Sequence, residues 1–329
     1  MAFSGDIPVG ISACLTGQRV RHDGGHKQCR YCMDVLSQWF DLRPLCPEAG
    51  AGFGTPRPSM RLQQQGDVVR LVTSARSTQE GGAQRDMTAP MEAWIEQQLP
   101  ALAALRGFIL TAKSPSCGLY RLRVYEQAGQ GRDGQVLRRD ASGLFASALR
   151  ARYPLLPVEE AARLNDDGLR ENFLERVFLY DDWCRFRCQP LTAGGLLAFH
   201  TRRKLQLLAH SQQGYRALGR LLANLRGVDI EALADDYIAR VMAMMSTPAS
   251  PGAHVNVMQH LLGYFRDRVS PALRAETQQQ IQAYQAGEVP LIVPLTLLRL
   301  MQREAPHDYL THQHYLAPYP DALGLRNRL

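Results

Sequence analysis

Three short apolar runs in this chain each end in a cysteine, and that pattern narrows the fold more than any other feature. Gly107-Phe108-Ile109-Leu110 leads into Ala112-Lys113-Ser114-Pro115-Ser116-Cys117-Gly118, Val9-Gly10-Ile11-Ser12-Ala13 into Cys14, and Leu42-Arg43-Pro44-Leu45 into Cys46. Runs of this length bounded by Ser, Pro and Gly read as strand ends. Helical stretches over 33–40, 87–105 and 143–153 alternate with them, and 67–72 reads as a further strand. Strands alternating with helices imply an α/β domain with a largely parallel sheet. In such a sheet the ligand crevice lies outside the carboxyl ends of the strands. Three thiols at three such ends can converge on one point.

The texture changes near residue 160, after Pro154-Leu155-Leu156-Pro157. Residues 161–190 read as a helical connector, and 191–329 as an all-α domain. Its clearest amphipathic segments are 196–225, 230–245, 254–268, 271–286 and 294–303, punctuated by Pro251-Gly252 and Val289-Pro290. Two other stretches read as loops: the turn-rich 47–58 and the Gly-rich 125–139. The tail from Pro306, rich in Tyr and His, reads as irregular and mobile.

A length of 329 residues suits two domains. The net charge of +7 tilts towards polyanionic partners. Met1–Asp6 has neither a basic lead nor an apolar stretch, and no apolar run approaches the roughly 18 residues of a membrane span. A cytoplasmic, reducing location without membrane attachment is the expectation. There, seven cysteines point to metal ligation, catalysis or core filling rather than a disulfide framework.

Three isolated cysteines match neither a zinc ribbon nor the four-cysteine runs of ferredoxins. Three thiolates with no evident fourth suit an iron–sulfur cluster that leaves one iron open. Cys29-Arg30-Tyr31-Cys32 is a lone CxxC, open to a structural role, a redox pair or half a metal site. Cys184 and Cys188, four apart on a helical stretch, read as core packing or a chance spacing.

Ser12-Ala13-Cys14-Leu15-Thr16-Gly17, Arg21-His22-Asp23-Gly24-Gly25, Cys46-Pro47-Glu48, Thr55-Pro56-Arg57-Pro58 and Lys113-Ser114-Pro115-Ser116-Cys117-Gly118, taken together, resemble the bacterial thiouracil desulfidase family. The match in order and approximate spacing spans residues 7–160, and the later half resembles a helical domain often fused to that catalytic domain. The resemblance implies a Rossmann-like catalytic domain over 1–160 with a [4Fe–4S] cluster on Cys14, Cys46 and Cys117. It further implies removal of sulfur from thiouridine in RNA, notably 4-thiouridine in tRNA, with free thiopyrimidines as neighbouring substrates. The Cys29/Cys32 pair is no part of that pattern.

The chemistry agrees with this likeness. A thione sulfur is a soft ligand for iron, and binding there makes the ring carbon electrophilic towards water. Glu48, two residues from a proposed ligand, is the candidate base for that water, or else a first-turn carboxylate complementing a helix dipole. Ser114 and Ser116 are candidates to orient the base ring or relay a proton, or are ordinary turn residues. Asp23 is a candidate substrate contact or an Asx turn of its own loop. Arg57 and Lys113 are candidate contacts to a substrate phosphate or pyrimidine carbonyl, or else surface charges. His22 and His26 are remote candidates for a fourth cluster ligand.

The partner is expected from the helical half. No acidic residue occurs between Asp182 and Asp229, while Arg202, Arg203, Lys204, Arg216 and Arg220 fall inside that window. This is the electrostatic footprint of a phosphate-backbone binder, and these five are the expected RNA contacts; no obligatory protein partner is evident. The first competing reading is a non-catalytic iron–sulfur or zinc protein that binds nucleic acid as a redox regulator, although no helix-turn-helix or zinc-finger spacing supports it. The second is a thiol–disulfide enzyme using Cys29 and Cys32.

Overall fold

The computed structural model describes residues 6–75, 84–127 and 134–327. Strand β1 (Ile7–Ser12) is buried almost throughout, as its apolar run dictates. It pairs in parallel with β2 (Phe40–Leu45) on one side and β5 (Gly107–Leu110) on the other. The last strand, β8 (Val158–Glu160), lies beyond β5 and completes the order β2-β1-β5-β8. Gly10 is required by a close approach: a Cβ there would stand 2.3 Å from the Phe108 ring. After β2 comes the short helix α1 (Pro47–Gly50), started by Pro47, whose missing N–H and fixed φ suit a first turn.

A second four-stranded sheet, β4-β3-β6-β7, was not foreseen. Strands β3 (Met60–Gln65) and β4 (Val68–Thr73) form one antiparallel pair, and β6 (Leu122–Tyr125) and β7 (Val136–Ala141) another; β3 and β6 join them in parallel. Of the expected loop over 125–139, residues 126–127 and 134–135 are loop, and 128–133 lie outside the described residues. Strand β7 corrects it over 136–139. It is an edge strand exposed on both faces, so it carries none of the apolar alternation that reveals a strand. Helix α2 (Thr88–Gln98) yields to a 3-10 turn at Leu99–Leu102, where Pro100 cannot continue the α ladder. Residues 31–38 form π and 3-10 turns. Helix α3 (Leu144–Arg152) sets Phe145 edge-on to Phe108 of β5 at 5.5 Å, with Trp94 of α2 6.3 Å from the same ring.

The chain separates into two compact units, Met1–Asn165 and Asp166–Leu329. The second is helical: α4 (Asp167–Arg187), α5 (Ala193–His210), α6 (Gln212–Leu221), α7 (Ile230–Met244), α8 (Pro251–Gly263), α9 (Pro271–Ala286) and α10 (Ile292–Glu304). Caps explain most of the starts. Asp166, Thr192, Ser211, Asp229, Ser250 and Ser270 each accept a backbone N–H of the first turn that follows. Ser211 is also why 196–225 is two helices: its extended backbone ends α5, and its hydroxyl caps α6. A core of Leu205, Val257, Met258, Leu261, Leu295, Leu298 and Met301 closes over Tyr315.

That last residue overturns the expected mobile tail. A short helix, α11 (Asp308–Thr311), and two 3-10 turns follow Pro306, and Tyr315 and Tyr319 are buried. The Tyr315 hydroxyl lies 3.0 Å from His254 Nδ1. The Tyr and His content there is core filling with a polar tip to satisfy. No helix among the described residues is long and apolar enough to cross a membrane.

Candidate active site

The parallel sheet reverses its winding at β1, which has β2 on one side and β5 on the other. A crevice is expected at that switch point. The three strands that meet there carry Cys14, Cys46 and Cys117 just beyond their carboxyl ends. All three thiols line one cavity of about 370 Å³, together with Glu48, Ser114, Lys113, Arg57, Arg21, His22 and Lys27. Cys14 sits in the 3-10 turn Ala13–Thr16, Cys46 is the N-cap of α1, and Cys117 lies in the loop after β5.

The Cys117 loop is held from several sides. The Ser114 hydroxyl accepts from Ser116 N at 3.2 Å and Cys117 N at 3.1 Å. The entry to α3 docks on the loop: Gly143 N donates to Gly118 O, Leu144 N to Pro115 O and Ala146 N to Ser116 O. Gly143 permits this, since a Cβ there would lie 2.4 Å from Ser116 O. Buried Glu160, at the end of β8, accepts from Leu119 N at 2.8 Å and Tyr120 N at 3.3 Å.

Glu48 joins the two sides of the cavity. Its Oε1 accepts from Ser116 Oγ at 2.9 Å and Ser114 Oγ at 3.2 Å. Its Oε2 accepts from Arg57 Nε at 3.0 Å and from Arg57 Nη2. Arg57 donates onward to Val20 O and Gly54 O, and its side chain is only 4 % exposed. The guanidinium expected to touch substrate is thus committed to fixing the carboxylate. Lys113 is exposed at the cavity, with a left-handed backbone at φ 64°. Asp23 is not among the lining residues; it accepts from Gly25 N at 3.0 Å in an Asx turn and pairs with Arg21. His22 lines the cavity, whereas His26 Nδ1 accepts from Gln28 N at 3.3 Å in the loop.

Burial pushes all three thiols up from their ordinary value. For Cys14 the neighbouring Cys46 and Glu48 add to burial, against the Thr111 hydroxyl and Arg21. Cys46 is raised by burial, with Glu48 adding to it. Cys117 is held well above the usual thiol range by burial, Glu48, Cys46 and Cys14, with a hydrogen bond to Ser12 opposing them. Glu48 raises all three, Cys46 also raises Cys14, and Cys46 and Cys14 both raise Cys117. Only a strongly cationic partner would make three thiolates stable in this cavity, and iron–thiolate bonding supplies such a partner. Among the described residues, no three His, Cys, Asp or Glu side chains close on a single ion. Three thiols that line one cavity without closing on one point suit a polynuclear cluster, which takes each on a separate metal. Ser12 and Thr111, which hydrogen-bond Cys117 and Cys14, escaped sequence reasoning because a serine or threonine at a strand end has no pattern of its own.

Residues 9–161 match the 2-thiouracil desulfurase family. These residues form a thiouracil desulfurase-like domain. Residues 204–320 match a second family, described as a protein of unknown function, DUF1722. The uncharacterized protein YbgA of Escherichia coli (strain K12) is 34% identical over 165 residues, which is 50% of this chain and 98% of that protein. Among solved structures, the [4Fe-4S]-dependent thiouracil desulfidase TudS is 28% identical and covers 49% of this chain and 94% of its own, with a TM-score of 0.36.

Outside the desulfurase-family cavity, the Cys29/Cys32 pair has its own geometry. Cys32 is fully buried, and its N–H donates to Cys29 Sγ at 3.4 Å. Hydrogen bonds from the Cys32 thiol and the backbone pull Cys29 down to about 6 against the effect of burial, while the hydrogen bond to Cys29, and then burial, drive Cys32 upward. We expect Cys29 to be the first cysteine alkylated by iodoacetamide, its rate rising through pH 6 and levelling above pH 7. Peptide mapping of partly alkylated protein checks this; preferential labelling of exposed Cys188 would contradict it.

In the helical unit the expected RNA contacts divide. Arg216 and Arg220 are exposed on α6, and Arg202 and Lys204 are half-buried. Lys204 and Arg216 line a pocket of about 190 Å³ with His200 and Tyr215, whose rings lie parallel at 6.4 Å. Arg203 is a correction: it is 1 % exposed, pairs with Asp182 and lies 3.8 Å over the Phe199 ring. Burial lowers it to about 9, and it cannot face a phosphate. Its position in a basic run concealed that it points into the bundle. Cys184 is half-buried and Cys188 exposed, so Cys188 is not core packing.

Proposed function

We propose that this protein hydrolyses the C=S bond of a thiopyrimidine, giving the corresponding uracil or uridine and sulfide with no net electron transfer. The observation that carries this reading is the convergence of three thiols, Glu48 and Ser114 on one cavity, with Glu48 also accepting from the buried Ser116 behind it. Cys14, Cys46 and Cys117 would hold a [4Fe–4S] cluster. Bound there, the cluster would supply an open iron as a soft Lewis acid towards the thione sulfur.

The remaining work falls to the chain. Glu48 Oε1, facing the serines, accepts a proton from the attacking water. Arg57 holds Oε2, so the carboxylate keeps one orientation as the base enters. Ser114 and Ser116 donate to Oε1 and give it proton-relay partners within hydrogen-bond reach. Lys113, exposed at the cavity, is placed to contact the substrate's polar edge.

The physiological substrate in this reading is thiouridine within RNA, 4-thiouridine in tRNA foremost. Exposed Arg216 and Arg220, with Lys204 beside the half-buried Tyr215, support it as a cationic surface with a ring for stacking. The test is anaerobic reconstitution with iron and sulfide, then sulfide release from 2-thiouracil and nucleoside analysis of thiolated tRNA. The expected result is a brown protein active on both, with colour and activity lost in Cys117→Ser. Colour without sulfide release from either substrate would overturn the enzyme reading in favour of a redox regulator.

A further inference from the structure

A second cavity of the desulfurase-family unit, about 560 Å³, runs beside the first. Met60, Lys113 and Pro115 line both, so the two share a wall at the Cys117 loop. Five cations line this second cavity: Arg61, Lys113, Arg121, Arg123 and Arg139. No acidic side chain lines it among the described residues. Its floor comes from the second sheet, with Met60, Arg61 and Leu62 on β3, Leu122, Arg123 and Tyr125 on β6, and Arg139 on β7.

The register explains the concentration of charge. On β6, Leu122 and Val124 point inward and are buried, which leaves Arg121 and Arg123 on the opposite, exposed face. Arg139 of the neighbouring β7 is exposed as well. Its neighbour Arg138 pairs with Asp140, but Arg121, Arg123, Arg139 and Lys113 form no ion pair with any described residue. Arg61 is buried, with its guanidinium 5.0 Å from the centre of the Tyr125 ring. Lys113 and Arg121 both adopt left-handed backbones, at φ 64° and 54°, and both line this cavity. A left-handed conformation disfavours residues with a Cβ, and such conformations cluster at ligand sites. Four cations with no ion pair among the described residues repel one another in one groove, and the arrangement is relieved when a polyanion lies among them.

We propose that this groove is a phosphate track for the nucleotides flanking the thio-base, which makes the catalytic unit itself an RNA-binding surface. The inference rests on the desulfidase reading for the identity of the base, and on the groove alone for the phosphates. The shared wall at Lys113 and Pro115 puts the track next to the reacting base. A free base needs only the first cavity, whereas a base within a chain brings a phosphate on each side. Arginines on strands suit such phosphates through paired N–H donors in a fixed fork. The Tyr125 ring, backed by Arg61, offers a face for a flanking base.

The test uses the full chain and the triple variant Arg121→Ala/Arg123→Ala/Arg139→Ala. The probe is a fluorescein-labelled trinucleotide with a central thiouridine and a 5′-phosphate, too short to extend far beyond the catalytic cavity. Binding is read by anisotropy across a salt series. The expected result is at least a tenfold loss of affinity in the variant, with a shallower dependence of log K on log salt, by about two units out of those set by the phosphates contacted. Sulfide release from free 2-thiouracil should be unchanged, which also shows that the variant folds. Equal affinity and equal salt slope for the two proteins would overturn the proposal and leave the groove to an acidic protein partner. Should the parent release no sulfide from 2-thiouracil, the function reading falls instead, while anisotropy still decides the groove; circular dichroism then reports the fold.

Discussion

Glu48→Gln should lower turnover of free 2-thiouracil by at least 100-fold while leaving the reconstituted chromophore intact. General-base assistance contributes about 10²–10⁴-fold, and an amide cannot take the proton. Gln can still receive one donor from Ser116 or Ser114 at its oxygen, so the loop survives the change. Arg57 is the control. Arg57→Lys keeps the charge but loses the paired donation to Oε2 and the grip on Val20 O and Gly54 O. A misaimed base still accepts protons, so roughly a tenfold loss in kcat with an unchanged absorption spectrum is expected there. The pair of variants separates chemistry from positioning, because the loss in Glu48→Gln should exceed that in Arg57→Lys by about tenfold or more. If Glu48→Gln keeps more than a tenth of the parent activity, the base lies elsewhere in the cavity.

The sequence made the cavity legible because its parts obey strong local rules. Apolar runs closed by Ser, Pro and Gly marked β1, β2 and β5, and a parallel sheet leaves few places for their carboxyl ends to go. What it could not show was which strands lie side by side; the order β2-β1-β5 is what brings Cys46, Cys14 and Cys117 together. Of the second sheet only β4 was legible, as the strand over 67–72; the rest stayed hidden, β7 because it exposes both faces and so has no apolar side to recognise. With it went the cationic groove, whose arginines are far apart in sequence until β3, β6 and β7 pair. Arg203 and Tyr315 show the opposite error. Each looked like surface chemistry in a basic run and an aromatic tail, and each is buried where helices close over it. Only tertiary contact decides such cases, since Arg and Tyr have stems apolar enough to be packed when the polar tip finds a partner.

Buried histidines give the helical unit a steep acid limit. Burial pushes His200 down to about 4, with Lys204 adding to it, and His254 down to about 3, with Arg326 adding to it. His314 is also pushed down to about 3 by burial and by Arg203 and Arg202; Asp182, 3.9 Å away, does not offset them. The Nδ1 atoms of His200 and His254 lie 3.3 and 3.0 Å from the Tyr237 and Tyr315 hydroxyls, an arrangement suited to neutral rings that accept from phenols. An unfolded chain binds these protons near pH 6.5, and the folded one only near pH 3–4. Below pH 6.5 the unfolded state therefore holds more protons, and stability falls as pH falls. Each ring contributes about 1.4 kcal/mol per pH unit, so three together approach ~4 kcal/mol per unit. That rate would remove the whole of a typical domain's stability within roughly two to three units. The Glu175–His210 pair shapes the two ends. Burial would raise Glu175, but His210 holds it down to about 2, so its contribution is present above the ordinary carboxylate range and lost as pH falls towards 2. His210 is raised, against burial, by Glu175, so its contribution is full below pH 6.5 and lost as pH rises through its elevated value. Stability of this unit should consequently peak near pH 6.5. Urea midpoints at pH 7, 6 and 5, followed through the fluorescence of Trp183 in the bundle, would show a fall corresponding to about three protons. His254→Phe should flatten that slope by about one proton, and a midpoint unchanged from pH 7 to pH 5 would mean that these rings are not held neutral.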